Sequence, residues 1–125
     1  MTQTILLAAG GTGGHLFPAT ALAQELTRRG FAVELVTDER AEQYGADFPA
    51  RATYQVPSAT FSGRSPGAVM NTLSTLGKGY FRARRLLEMV QPHVVVGFGG
   101  YPTLPPLLAA RSLAIPTVLH EQNAV

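Results

Sequence analysis

At 125 residues with no cysteine, the chain is long enough for one domain with a real core and too short for two. Disulfides and thiolate metal sites are excluded, and 46% hydrophobic against 14% charged residues suits a buried parallel sheet better than a solvated module. The net charge of +2 identifies no partner by itself, no apolar run is long enough to cross a bilayer, and no charged segment leads into a signal-peptide core.

The first apolar run, Ile5-Leu6-Leu7-Ala8-Ala9, reads as a buried strand over about residues 4–9. Gly10-Gly11-Thr12-Gly13-Gly14-His15 follows. Four glycines in five residues let the backbone turn sharply and approach a ligand with no Cβ in the way. A helix is expected from Pro18 to Arg29, with Pro18 in its first position, Ala19, Leu22, Ala23 and Leu26 on one face, and Gly30 as C-cap. A glycine loop feeding a helix amino end favours an anion, through free N–H groups and the helix dipole. The loop has no Lys where a Walker motif needs one. A dinucleotide fingerprint starting at Gly11 and Gly13 would put its third small residue on Leu16, although Asp38 lies 25 residues past Gly13, where a ribose-binding acid belongs. Neither motif explains His15.

Residues 31–37 read as a second strand and 39–47 as a short polar helix. Thr53–Val56 is a weak third strand closed by Pro57, and residues 57–67 form a turn-rich loop. A long helix is expected from Ala68 to Val90, with Val69, Leu73, Leu76, Tyr80, Ala83, Leu87 and Val90 as one apolar stripe, stopped by Pro92. Val94-Val95-Val96 is a buried fourth strand, leading into a second glycine turn, Gly97-Phe98-Gly99-Gly100-Tyr101. Thr103 is the expected N-cap of a helix reaching Leu113, with Pro105 and Pro106 in its first turn. Residues 116–120 form the fifth strand, followed by Glu121-Gln122-Asn123-Ala124-Val125.

Strands alternating with helices call for a Rossmann-like, doubly wound parallel α/β sheet with right-handed crossovers. In the strand order 3-2-1-4-5, strands one and four meet at the switch point, and ligands bind outside the carboxyl ends of the strands there. That order puts His15, Tyr101 and Glu121–Asn123 on one rim. A covering helix is expected after the fifth strand, so the chain reads as a fragment.

The three loops Gly10–His15, Gly99-Gly100-Tyr101 and His120-Glu121-Gln122-Asn123-Ala124 resemble signature loops of the family 28 glycosyltransferases of peptidoglycan synthesis. These are the N-acetylglucosaminyltransferases that turn lipid I into lipid II. The resemblance covers essentially the whole chain, with Thr103 standing where relatives usually carry Ser. It implies the acceptor-binding N-terminal domain of a glycosyltransferase B fold, with a C-terminal donor-binding domain absent from this sequence. It further implies inverting transfer from UDP-N-acetylglucosamine to the muramoyl 4-hydroxyl of lipid I, and peripheral attachment to the cytoplasmic face of the bacterial inner membrane. Cell-wall growth, cell shape and division follow as the cellular context. Thr12, Gly13, Gly14 and Asn123 are carried over as nucleotide-sugar contacts, His15 as the catalytic base with Glu121 as rival or orienting partner, and Tyr101 as an acceptor contact. No D-x-D motif is present, so no metal or cofactor is called for, and no nucleic acid is expected.

Plainer readings stand beside these. His15 could be a helix cap, Glu121 a solvated strand end and Tyr101 an edge-packing ring. His93 and His120 read as structural, and Asp38 as a strand end beside the rim. Lys78, Arg82, Arg84 and Arg85 around Phe81, with Arg64 upstream, form either an ordinary solvated helix face or a patch for an anionic membrane surface. For the chain as a whole, the alternatives are a dinucleotide-binding domain of an oxidoreductase, using Gly11, Gly13 and Asp38, and a non-catalytic membrane-surface module.

Overall fold

The computed structural model describes residues 2–10, 13–38, 48–56, 65–99 and 103–120. In chain order the elements are β1 (Thr4–Ala8), α1 (Gly13–Arg28), β2 (Ala32–Thr37), β3 (Ala52–Gln55), α2 (Pro66–Val90), β4 (Val94–Gly97), α3 (Leu104–Ser112) and β5 (Thr117–Leu119). All five strands join one parallel sheet in the order β3-β2-β1-β4-β5. The expected switch point therefore exists, with β1 paired on one side with β2 and on the other with β4.

Every residue of β1 is buried because both faces of the sheet are covered. Ile5, Leu7 and Ala9 point to the face where Leu16, Ala19 and Ala23 of α1 pack, together with Val33 and Leu35 of β2. Leu6 and Ala8 point the other way, to Ala83 and Leu87 of α2 and Ala109 and Ala110 of α3. This alternation turns a continuous apolar run into two cores.

Three local expectations change. Helix α1 begins at Gly13, five residues before Pro18, which lies inside it. Leu16 and Ala19 are almost fully buried beside Leu35, so the chain is already wound before Pro18. Pro18 cannot donate to the carbonyl four residues back, and this core packing outweighs the lost bond. Along α2, Ala83 and Leu87 are buried as expected, whereas Leu73 is 54% exposed and Thr72 is buried instead. The Thr72 hydroxyl donates to the Ala68 carbonyl at 3.0 Å, which removes most of the cost of hiding it. At α3, Thr103 occupies the cap position in helical conformation (φ −83°, ψ −17°) and its side chain makes no capping bond.

Other boundaries follow from ordinary capping. The Ser65 hydroxyl accepts the Ala68 N–H at 3.2 Å ahead of Pro66, so α2 starts two residues before the expected position. It ends at Gln91, left-handed at φ 50°, whose N–H reaches the Leu87 carbonyl, with Pro92 next. Gly30 closes α1 at φ 91°, a conformation that favours glycine. The expected helix at 39–47 and most of the loop at 57–67 lie outside the described residues.

Candidate functional site

The carboxyl edge of the sheet is assembled by backbone hydrogen bonds just past the strand ends. Ala9 N–H donates to the Val36 carbonyl at 3.1 Å, Phe98 N–H to Ala8 at 2.9 Å, and His120 N–H to Gly97 at 2.8 Å. Each bond fixes the point at which a loop leaves β1, β4 or β5. The three loops singled out in the sequence thus depart from one edge, across the switch point, as ligand binding in this architecture requires.

From β1 the chain passes through the glycine loop into α1, whose first residues are Gly13, Gly14 and His15. Starting the helix at Gly13 makes its amino end part of the rim, where the first N–H groups have no partner within the helix and the dipole is positive. Gly14 is exposed and His15 half-buried. A Cβ added at Gly14 would meet nothing within 4 Å among the described residues, so packing does not demand glycine there. Gly97 is different: a Cβ would come within 2.8 Å of Leu107 Cδ1, so this glycine lets α3 lie close to β4. At Gly99 the backbone turns with φ 88°.

Phe98 and His120, leaving adjacent strands, stack edge to face with ring centroids 5.7 Å apart. This contact fits the structural reading of His120. His93 lies at the opposite, amino edge, where its Nδ1 accepts the Thr4 N–H at 3.3 Å, also a structural role. Asp38 follows β2 and is buried beside the rim. Thr12, Tyr101, Glu121 and Asn123 lie outside the described residues, so the structure brings together the points from which their loops leave and the amino end of α1 with His15. Among the described residues, no three His, Cys, Asp or Glu side chains are grouped to hold a metal ion.

The basic cluster on α2 is a surface feature. Ser74, Lys78, Phe81, Arg82, Arg85 and Glu88 line a shallow depression, with Arg84 paired to Glu88 at 3.4 Å. Phe81 is 66% exposed, and Met70 and Leu73 are exposed on the same helix. Tyr80 stacks on Phe81, and hydrogen bonds with Ser112 and then Arg84 hold its phenol below the ordinary value. Arg64 lies outside the described residues. No described helix is long and apolar enough to cross a membrane.

One feature of the sheet had no signal in the sequence. Glu34, in the middle of β2, is buried and holds both the Arg51 guanidinium and the Tyr54 hydroxyl. A charge inside a strand reads as solvent-facing until its partners, 17 and 20 residues away, are brought beside it.

Compared with known proteins, the chain matches the glycosyltransferase family 28 N-terminal domain over residues 5–125. It is 63% identical over 121 residues to a UDP-N-acetylglucosamine–N-acetylmuramyl-(pentapeptide) pyrophosphoryl-undecaprenol N-acetylglucosamine transferase of Allorhizobium ampelinum, covering 97% of this chain and 32% of that protein. A protein of the same name from Methylobacterium nodulans is 60% identical with the same coverage. The chain therefore spans about a third of the length of these curated relatives. The crystal structure of Acinetobacter baumannii MurG superposes with a TM-score of 0.83 at 33% identity, over 98% of this chain and 36% of that one. A kitacinnamycin glycosyltransferase, 22% identical with a TM-score of 0.73 over 97% of this chain and 31% of its own, shares the fold. The oxidoreductase alternative finds no support among these matches. On a match that runs from the first strand to the last residue, the chain belongs to the glycosyltransferase family 28 N-terminal domain family.

Proposed function

We propose that residues 1–125 are the acceptor-side domain of an inverting N-acetylglucosaminyltransferase that converts lipid I into lipid II. The observation that carries the reading is the 63% identity to a transferase of that name across nearly the whole chain. The rim geometry supports it, because glycines without side chains and a helix amino end are suited to a diphosphate, and a histidine stands beside them.

In the proposed reaction the muramoyl 4-hydroxyl of lipid I attacks the anomeric carbon of UDP-N-acetylglucosamine from the face opposite the diphosphate. The new C–O bond forms as the old one breaks, and UDP leaves with the bonding electrons. His15 takes the hydroxyl proton, with Glu121 orienting it or standing in as base. The amino end of α1 and the backbone of Gly13 and Gly14, with Thr12 and Asn123, hold the nucleotide sugar, and charge on the departing diphosphate is stabilised by N–H groups already in position. Tyr101 contacts the acceptor. Most uridine and diphosphate contacts belong to a C-terminal domain beyond this chain.

The test is a transfer assay with UDP-N-acetylglucosamine and a lipid I analogue. The complete gene product is expected to form the lipid II analogue with inversion. Residues 1–125 alone are expected to form none and to bind the donor in the millimolar range or worse, about −4 kcal/mol, since one wall of a cleft cannot hold both substrates in attack geometry. Micromolar donor binding by residues 1–125 would assign the wrong half of the reaction to this chain.

The lipid acceptor calls for membrane docking, and we assign it to the exposed face of α2. Arg82 and Arg85 make no ion pair among the described residues, and Phe81 offers an exposed apolar side chain beside them. Attachment is then peripheral, at the cytoplasmic face of the inner membrane, and salt-sensitive. Each basic residue near an anionic surface contributes about 1 kcal/mol, so reversing Arg82 and Arg85 to Glu should weaken binding at least about thirtyfold. Co-sedimentation with anionic and neutral vesicles measures this. Equal partitioning to both removes the electrostatic account.

A further inference from the structure

Among the described residues, the Thr37 hydroxyl is buried with no hydrogen-bond partner. Thr37 is the last residue of β2 and is 1% exposed. Strand alternation puts its side chain on the face of Val33 and Leu35, both in the core beneath α1. Its carbonyl is already used, accepting the Val56 N–H at 2.9 Å, and the preceding carbonyl accepts the Ala9 N–H. The hydroxyl therefore lies on the α1 side of the sheet at the carboxyl edge, level with Ala9, where the chain leaves β1 for the amino end of α1.

A hydroxyl buried without a partner destabilises a protein relative to a methyl of the same shape. Valine would fill this position equally well and has the higher strand preference. An orphaned hydroxyl on the α1 side of the sheet, at the carboxyl edge beside the start of the β1–α1 connection, has a physical explanation if it is used in another state. We propose that Thr37 is a positioning residue for the amino end of α1. In the ligand-bound state its hydroxyl bonds to the backbone at that end, around Gly13 and Gly14, and sets where the helix N–H groups meet the diphosphate. The inference rests on the reading of the rim as a UDP-N-acetylglucosamine site and adds a residue that does not itself touch the ligand.

The test compares Thr37→Val and Thr37→Ser with the wild type in the complete protein. Val keeps the shape and removes the hydroxyl; Ser keeps the hydroxyl. Val is expected to raise the thermal midpoint of the ligand-free protein while raising KM for UDP-N-acetylglucosamine about five- to tenfold, the worth of one hydrogen bond. Turnover should stay within roughly twofold, because the bond serves binding and not the chemical step. Ser should restore KM. A higher midpoint with unchanged KM overturns the proposal, since the hydroxyl then has no use. A lower midpoint also overturns it, because the hydroxyl is then already bonded without ligand. A wild-type protein that transfers no N-acetylglucosamine would refute the functional reading instead. Calorimetry with inorganic pyrophosphate would then still decide Thr37: weaker binding by Val, rescued by Ser, supports the positioning role, and equal binding by all three removes it.

Discussion

Replacing His15 by alanine in the complete protein is expected to lower the turnover number by roughly 10²–10⁴-fold, the usual worth of a general base. His15 is the third residue of α1 and stands on the rim where the loops from β1, β4 and β5 leave. Imidazole is the side chain that exchanges a proton most readily near neutral pH. The kinetics separate the alternatives. A fall in kcat and in kcat/KM by the same factor identifies an interaction made in the transition state, whereas a rise in KM alone makes His15 a binding residue. Full activity in the variant sinks both roles. Glu121→Gln is the paired measurement, because it removes charge at constant shape. If Glu121 orients His15, the double variant should be little worse than the worse single one; if the two act independently, their effects should multiply.

The sequence made the frame of the site legible because glycine and apolar runs carry strong local signals. Val95-Val96 and Ile5–Ala9 are buried, as apolar runs covered on both faces should be, so they read as central strands, and their glycine turns mark the rim between them. The alternation of elements called for a parallel doubly wound sheet, and of the orders such a sheet allows the structure has 3-2-1-4-5. What stayed hidden was set by tertiary packing. The glycines at 13 and 14 have poor helix propensity, and Pro18 looked like a starting residue, yet the burial of Leu16 winds the helix from Gly13. That shift matters for function, because it moves His15 from a loop to the first helical turn. Thr72 took a buried position that the apolar stripe had assigned to Leu73, because its hydroxyl satisfies itself against the preceding turn. The Thr37 hydroxyl was illegible for the opposite reason: threonine is an ordinary strand residue, and only the missing partner sets it apart.

Breaking the Glu34 cluster is expected to have the largest effect on stability. Glu34 is 3% exposed, and its two carboxylate oxygens are taken by Arg51 and Tyr54, so β3 is tied to β2 through a buried charge. Removing one partner of a buried pair can cost about 3–5 kcal/mol, because the remaining charge stays desolvated. Arg51 is 59% exposed at its side chain, so water screens its share. Arg51→Ala should therefore fall below that range, at about 1–3 kcal/mol, as should Tyr54→Phe, which removes one hydrogen bond to a charged group. Glu34→Leu combined with Arg51→Met should lose less than the sum of the single changes, because no charge is left buried. Chemical denaturation of each single variant and of the double measures these effects.

The same cluster has a pH signature. The hydrogen bond to Glu34, then burial, then the Glu34 charge raise the Tyr54 phenol above its ordinary value of 10, against the opposing Arg51 charge. The folded protein thus holds this proton more tightly than the unfolded chain. Its contribution to stability is complete below pH 10 and is lost as pH rises through the raised folded value. Wild-type stability should fall more steeply above pH 10 than that of Tyr54→Phe, so the gap between them narrows with alkali. A constant gap across that range would mean that Tyr54 and Glu34 do not share a proton bond in the folded protein.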